Sequence, residues 1–501
     1  MNGPATRLIQ SGTRRSPIRW RMDEAGWTAL PAALRQEPEL EFLGLWGEAE
    51  RVHAAFRHAG GGPPLLATAD AAGGRYAALS PARPAAGLFE RMAADLWGLR
   101  AEGAADSRPW LDHGFWPRHA PLGRNPKPPL GELPQPAFLP AGGEGVHQIP
   151  LGPVHGGVTE PGHFRFHVRG ETILRLEARL GYAHKGILGL MRGKSPKLAA
   201  RLAARISGDS TVAHAWAFAA AAEAATGVAP PPRAILLRGV MAELERIANH
   251  LNDAGFLCDA AGFAWPHARC GALREVVLRA ADSAFGHRLM MDRVVPGGVS
   301  IDIAPSGPDA ILAALAAVVA ELPPLRRAID GHAGLQDRLA GSGALAPALA
   351  AGFAAGGFVG RASGRDFDAR RDLPYAPYDR LGFTVPLRQA GDVAARLQVR
   401  LDEMAESLAM VAALLARLEP GETLLPLPAR PGEGLGLVEG FRGEVMCWMA
   451  LDEQGLIRAV FPRDPSWLHW PLLEAAVQGG AMADFPLCER SFNASCSGVD
   501  L

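Results

Sequence analysis

Hydrophobic and polar positions change their spacing along this chain, and the changes divide it. Over residues 163–168 they alternate, with Phe164, Phe166 and Val168 on one face, and after a turn at Arg169 and Gly170 the alternation resumes over 172–178. Side chains two apart share one face of a strand, so this stretch predicts a small antiparallel hairpin. Downstream the spacing is helical over 198–206, 213–225, 239–257, 270–285, 310–321 and 393–418. In the third of these Leu244, Ile247 and Leu251 form one stripe, which predicts Glu245 and Asn249 elsewhere on the helix surface. Alternation returns over 443–460. Upstream, residues 1–123 mix short strand-like and helix-like runs, such as 75–79 and 88–96, and predict a compact α+β domain. Between these parts Pro126, Pro128, Pro129, Pro134, Pro136 and Pro140 crowd a stretch that sustains neither a helix nor an inner strand. The predicted class is α+β: an N-terminal α+β domain over 1–123, a linker over 124–150, and a domain over 151–501 in which a small antiparallel sheet packs on a mainly α-helical core.

Length agrees with this division, since 501 residues exceed one ordinary core at roughly 100–200 residues per domain. With 51 basic and 52 acidic residues the chain offers no electrostatic reason to bind nucleic acid. Four of the basic residues are lysines, and Lys185, Lys194 and Lys197 fall close together. Cys258, Cys270, Cys447, Cys488 and Cys496 contain no pair at the two-residue gap that lets two thiolates grip one ion, and they read as reduced, buried thiols. Arginines crowd the N-terminus, but no apolar run follows them, so a secretory signal is not expected. The longest uncharged stretch, 339–360, is rich in alanine and glycine and holds Pro347, which favours a buried or loop segment over a lipid-facing helix. Membrane attachment is then left to partners.

Short motifs reduce to ordinary structure. Gly193-Lys194-Ser195 resembles the end of a phosphate loop, but Leu188 stands where that loop needs glycine, and Pro196 follows at once. A helix start with Ser195 as cap explains it better. No dinucleotide fingerprint or nucleophile elbow is present, so neither direct NAD binding nor serine hydrolysis is expected. His163 and His167 lie four apart on a strand, about 13 Å and too far to share an ion. Glu243, Glu245, Arg246 and His250 on one helix read as a buried salt-bridge network that fixes packing.

Longer patterns are more specific. Gly152-Pro153-Val154-His155, Glu160-Pro161-Gly162-His163-Phe164-Arg165-Phe166, Gly181-Tyr182-Ala183-His184-Lys185-Gly186 and the run 205–214 resemble, in order, the large subunit of membrane-bound energy-converting nickel-iron hydrogenases, especially that of formate hydrogenlyase. The likeness continues through Glu243-Leu244-Glu245-Arg246, Pro296-Gly297-Gly298-Val299, Arg361-Ala362-Ser363-Gly364, the runs 368–372 and 374–379, Asp464-Pro465-Ser466 and Asp484-Phe485-Pro486-Leu487. Phe89-Glu90-Arg91-Met92, Asp95-Leu96-Trp97-Gly98 and Trp116-Pro117 are similar to the small peripheral-arm subunit of complex I that is fused to this hydrogenase type. The resemblance implies a peripheral arm on the cytoplasmic face of the inner membrane, with an iron-sulfur small subunit and membrane-embedded antiporter-like subunits as partners. It also implies kinship with the complex I subunit that helps form the quinone pocket.

In that family two cysteine pairs supply four thiolates to nickel and iron. The matching positions here are Ser207, Ser210, Ser495 and Gly498, with Cys496 between the last two. Hydroxyls are hard, weakly acidic donors and do not replace thiolates at a soft-metal site, so no metal or other cofactor is expected in this chain and iron-sulfur clusters are expected in a partner. The chain ends at Leu501, without the histidine-ended extension that accompanies metal insertion in many such relatives. In the complex I relative a histidine and a tyrosine face the quinone head group, and Thr159 and Gly208 stand at those places. His155, His184, His214, Arg361 and Asp366 are carried over as candidate polar lining of the cavity. The implied function is electron transfer coupled to ion translocation in a complex I-like or hydrogenase-like assembly, with quinone as an admissible ligand. The alternative is a non-catalytic structural and coupling subunit.

Overall fold

The protein is described by a computed structural model over residues 3–114, 116–126, 128–129, 138–155 and 160–501. Near the N-terminus β1 (Thr13–Arg14), β2 (Arg19–Arg21), β3 (Leu40–Glu48), β4 (Arg51–His58) and β5 (Leu65–Asp70) form one sheet in the order β1-β2-β5-β4-β3, with β2 and β5 parallel. Helix α1 (Glu24–Arg35) is started by Asp23, whose side chain accepts from the Gly26 N–H at 2.7 Å, and it buries Trp27, Leu30 and Leu34. Helix α2 (Gly87–Trp97) packs on β3 and ends at Gly98, in the left-handed conformation that a helix C-terminus favours.

The alternation over 163–178 forms the predicted hairpin, β7 (His163–Arg169) and β8 (Thr172–Arg179), but the sheet has a third strand, β6 (Val146–Leu151), along β7. The last residues assigned to the linker are therefore strand. All three predicted helices over 198–257 are present as α3 (Pro196–Ala203), α4 (Thr211–Thr226) and α5 (Pro232–Ala260), and Ser195 caps α3 by accepting from Leu198. They are followed by α6 (Ala264–Phe285), α7 (Gly307–Asp330) and α8 (Val393–Leu415). A meander of β9 (Gly432–Gly440), β10 (Gly443–Leu451) and β11 (Ile457–Arg463) then leads to α9 (Ser466–Ala476), α10 (Phe485–Phe492) and the short α11 (Cys496–Asp500).

Two packing choices position the site. Helix α4 is mostly alanine, and β9 presents Gly432, Gly434 and Gly436 to it, where a Cβ would fall 1.9–2.1 Å from the carbonyls of Ala225, Ala221 and Ala217. Only glycine permits that approach, and it draws the α4 N-terminus toward the β9–β10 turn. Helix α5 is buried on all sides: Glu245, read as part of a buried network, and Asn249, placed only off the apolar stripe, are 7% and 6% exposed. Periodicity placed only the apolar stripe, and neighbouring α4, α6 and α8 cover the polar face as well. The stretch 339–360 is broken into short helices and loops, as expected, and is buried from Phe353 onward, while α7 is the one helix among the described residues long and apolar enough to cross a membrane. It packs on α6 and leaves Leu312 and Val319 exposed.

The N-terminal sheet is welded to the C-terminal meander. Trp46 stacks on Phe461 at 5.0 Å, Phe89 stacks on Trp467 at 4.7 Å, and Arg57 links Glu41 to Glu444 in the buried seam.

Candidate functional site

The loop before α4 and the turn before α11 meet although 288 residues separate them: Ser207 Oγ lies 3.0 Å from Ser495 Oγ, both side chains buried. The glycine contact of β9 brings Ser207, Asp209 and Ser210 to Arg442, which stands in the β9–β10 turn. Arg442 grips Asp209 with two N–H donors, each at 2.6 Å, and also donates to Ser210 Oγ at 3.1 Å. Burial pushes the Asp209 carboxyl up, but Arg442 and the Ser207 hydroxyl, which donates at 2.9 Å, outweigh it and hold it below its ordinary value.

The tail is fixed from the other side. Glu160 accepts from the Cys496 and Ser497 N–H groups at 2.6 and 3.0 Å and from Ser495 Oγ at 3.1 Å, so it neutralises unpaired donors of the α11 start. Gly498 donates to Ser495 Oγ at 3.0 Å and abuts Asp464: a Cβ there would lie 2.7 Å from Asp464 Cγ. Asp464 is held by His214 Nε2 at 2.8 Å and the Ser466 N–H at 2.8 Å, and although burial opposes it these partners keep its carboxyl well below the usual range.

The remaining predicted residues divide. His214 belongs to this cluster through Asp464. His184 lies beside the tail, donating from Nδ1 to the Asp500 carbonyl at 2.6 Å and stacking on Trp116. Gly208 borders a cavity of about 60 Å³ between α5 and α6, where a Cβ would meet nothing. Thr159 lies outside the described residues. His155 packs on Phe164 and is not bonded to the serine cluster. Asp366 is on the surface, its side chain 56% exposed and paired with Arg371, so it lines no buried cavity. Arg361 is fully buried among Glu403, Glu439 and Asp368 and serves packing. Glu243, Arg246 and His250 belong to the same network, which extends through Arg370 and Glu403. Asp209, Arg442 and Glu160 complete the cluster without having been singled out from sequence. Asp209 sits between two marked serines, a signal that was available, while Arg442 had none.

Among the described residues no three or more His, Cys, Asp or Glu side chains converge as a metal ion needs, and all five cysteines are buried and free. The nickel-iron group implied by the resemblance finds three hydroxyls and a glycine at its ligand positions, with Arg442 and Asp464 packed against them. This donor set does not fit it.

Known proteins give the geometry its context. Hydrogenase-4 component G of Escherichia coli is 30% identical over 449 residues, 87% of this chain and 78% of that protein. An NADH-quinone oxidoreductase subunit of Dehalococcoides mccartyi is 31% identical over 361 residues, 70% of this chain and 97% of that protein. Residues 262–429 match the family of the respiratory-chain NADH dehydrogenase 49 kDa subunit. The chain belongs to this family. Formate hydrogenlyase subunit 5 of Escherichia coli is 29% identical over 439 residues, covering 85% of this chain and 77% of that protein. A chain of the membrane-bound sulfane sulfur reductase, an archaeal respiratory membrane complex, shares the fold with a TM-score of 0.68 at 24% identity, over 72% of this chain and 99% of that one.

Two results are expected from this geometry. With Cys488 and Cys496 changed to serine, Ser207→Cys and Ser495→Cys should form a disulfide on mild oxidation, because hydroxyls in contact place both Cβ atoms within bonding reach. A peptide map joining the two segments, reversed by reductant, checks it. The second concerns Glu245, which accepts from the Val212 and Ala213 N–H groups yet is pushed by burial up to about 8. Burial likewise pushes Glu474, Glu489 and Asp500 up to about 7. Carboxyls with raised folded pKa contribute stability that is fully present below their unfolded values and is lost as pH rises through about 7 to 8. Between about pH 5 and pH 8 the denaturation midpoint of Glu245→Gln should therefore fall less, or rise more, than that of the parent, whose buried histidines with lowered values act in the opposite sense below about pH 6.5.

Proposed function

We propose that this chain is the large subunit of a membrane-associated, complex I-like or hydrogenase-like oxidoreductase complex in which an oxygen-lined site replaces the thiolate site, and that it takes part in electron transfer coupled to ion translocation. The observation that carries this is the direct contact of Ser207 with Ser495 at the place where the resemblance puts the metal. Family membership supports the setting: the relatives include a formate hydrogenlyase subunit and an NADH-quinone oxidoreductase subunit. Partners of the expected kinds are an iron-sulfur small subunit that delivers electrons and membrane-embedded antiporter-like subunits that attach the chain to the cytoplasmic face. Gly208, bare beside its cavity, leaves open volume where a quinone head group or another small acceptor enters.

A structural and coupling role is the second reading, favoured by the closed state of the cluster, in which Ser207 and Ser495 are 1% and 2% exposed. Purifying the tagged complex from membranes of cells able to mature hydrogenases tests both. The proposal expects an iron-sulfur subunit and integral membrane subunits to co-purify and no stoichiometric nickel in this chain. One nickel per chain overturns it, and a small subunit lacking its cluster cysteines leaves the structural role.

A further inference from the structure

Lys194 and Lys197 have no part in the site, and the structure puts them on one exposed face. Residues 178–208 hold seven Lys or Arg and no Asp or Glu, in a chain whose charges otherwise balance at 51 and 52. Helix α3 turns Ala199, Ala200 and Ala203 inward and leaves Lys197, Leu198 and Arg201 exposed along its outer side, with Arg205 just past its end. The helical turn Ile187–Met191 and the loop after it add Leu190, Arg192 and Lys194, all exposed. That loop is fixed: the Gly193 N–H donates to the Ile457 carbonyl at 2.8 Å, and the Ile457 N–H to the Lys194 carbonyl at 2.9 Å.

Two features set this face apart from an ordinary solvated one. Among the described residues Arg192, Lys194 and Lys197 make no ion pair, and Arg201 and Arg205 have one carboxylate between them, Asp292, which pairs with Arg205 at 2.6 Å. The neighbouring β10–β11 turn carries Asp452, but the Gln454 and Leu456 N–H groups of its own turn take up that carboxylate. The leucines are the other feature. Leu190 is 49% and Leu198 67% exposed, each standing among these cations.

We propose that this face rests on the anionic phospholipid head groups of the membrane, so that the chain touches the bilayer directly as well as through integral partners. A negative membrane surface attracts Lys and Arg side chains within its Debye length, and apolar side chains between them enter the head-group layer. Lysine favours lipid over a protein partner here. Protein interfaces are enriched in arginine and depleted in lysine, and this chain, with four lysines among 51 basic residues, places three in this segment. A lysine stem covers apolar surface while its ammonium stays at the head-group level. Overall charge does not supply the attraction, since the chain is near neutral; the face does.

Sedimentation of the purified full-length chain with vesicles tests it. The chain should bind vesicles of phosphatidylcholine mixed with an equal part of phosphatidylglycerol and leave vesicles of phosphatidylcholine alone. Each cation near an anionic surface is worth about fivefold in affinity, so Arg192→Gln, Lys194→Gln and Lys197→Gln together should weaken binding on the order of a hundredfold. Leu198→Ser, which keeps every charge, should weaken it about tenfold. Potassium chloride at about 1 M, where charges act over only about 3 Å, should release the native chain. The same neutralisation at exposed positions elsewhere, Arg35→Gln, Arg327→Gln and Arg417→Gln, should weaken binding far less. Unchanged binding in the triple variant, or equal binding to both kinds of vesicle, overturns the proposal. Amine acylation of the native complex gives a second reading. In membranes with the cytoplasmic face outward, Lys194 and Lys197 should react with a water-soluble reagent only once detergent has replaced the lipid. Protection that persists in the detergent-solubilised complex assigns the face to a protein partner and overturns the proposal too. The inference rests on the membrane setting proposed above, and the two failures are distinct: a complex without integral subunits sinks that setting, whereas the vesicles and the lysine reactivity sink this contact.

Discussion

Arg361→Ala is expected to cost on the order of 3–5 kcal/mol of folding stability, a large share of the roughly 5–15 kcal/mol that holds a domain together. The side chain is fully buried and reaches Glu403 at 2.6 Å, Glu439 at 2.9 Å and Asp368 at 3.2 Å, each of them fully buried too. Removing the guanidinium leaves three carboxylates in a water-excluded place with Arg370 and Arg246 as the remaining cations nearby. A salt bridge in such surroundings adds little net stability over an apolar replacement of the whole group, but breaking it from one side costs heavily. Arg361→Lys should recover only part, because a single ammonium cannot serve three carboxylates on different elements as the planar fork does. Urea denaturation of the purified chain checks this. A loss below about 1 kcal/mol would show that water enters and relieves the network.

That network also shows where sequence reading reached its limit. The helices from 198 onward were legible because apolar residues recur at the helical period, and the hairpin over 163–178 because they alternate. Strand β6 was not, since the linker was drawn through residue 150 and took in all but the last residue of the strand. It lies at the edge of its sheet, where Pro150 is tolerated. Asn249 was placed only off the apolar stripe, because a period shows which face is apolar, not what covers the other. At the site, Ser207, Ser210, Ser495 and Gly498 were marked by motif, and the fold sets Ser207 against Ser495. Arg442 was invisible: it lies 233 residues from Asp209, and only the close approach of α4 to a glycine strand makes them partners. Asp366 follows Arg361 in the same motif region, yet it faces solvent, since the motif specifies a loop and not the direction of each side chain in it.

Gly498→Ala is expected to destabilise the chain by about 1–3 kcal/mol, and Gly498→Cys by nearly the same amount. The reason is that the conflict begins at Cβ. An added Cβ would lie 2.7 Å from Asp464 Cγ, 2.9 Å from its Oδ2 and 3.0 Å from its Cβ. Asp464 cannot retreat without losing His214 and the Ser466 N–H, and burial leaves it no water as a substitute. The tail cannot retreat easily either, since Glu160 holds its first N–H groups and Asp500 accepts from Gly181 and Ala183 at 2.7 and 2.8 Å. The position that would have carried a fourth thiolate is thus occupied by the Asp464–His214 pair, and returning cysteines to 207, 210, 495 and 498 would not rebuild a thiolate quartet unless that pair moved. Denaturation midpoints of the two variants at unchanged slope provide the measurement. An alanine variant as stable as the parent beside a destabilised cysteine variant would put the clash at sulfur, and the fourth position would then still be open at its base.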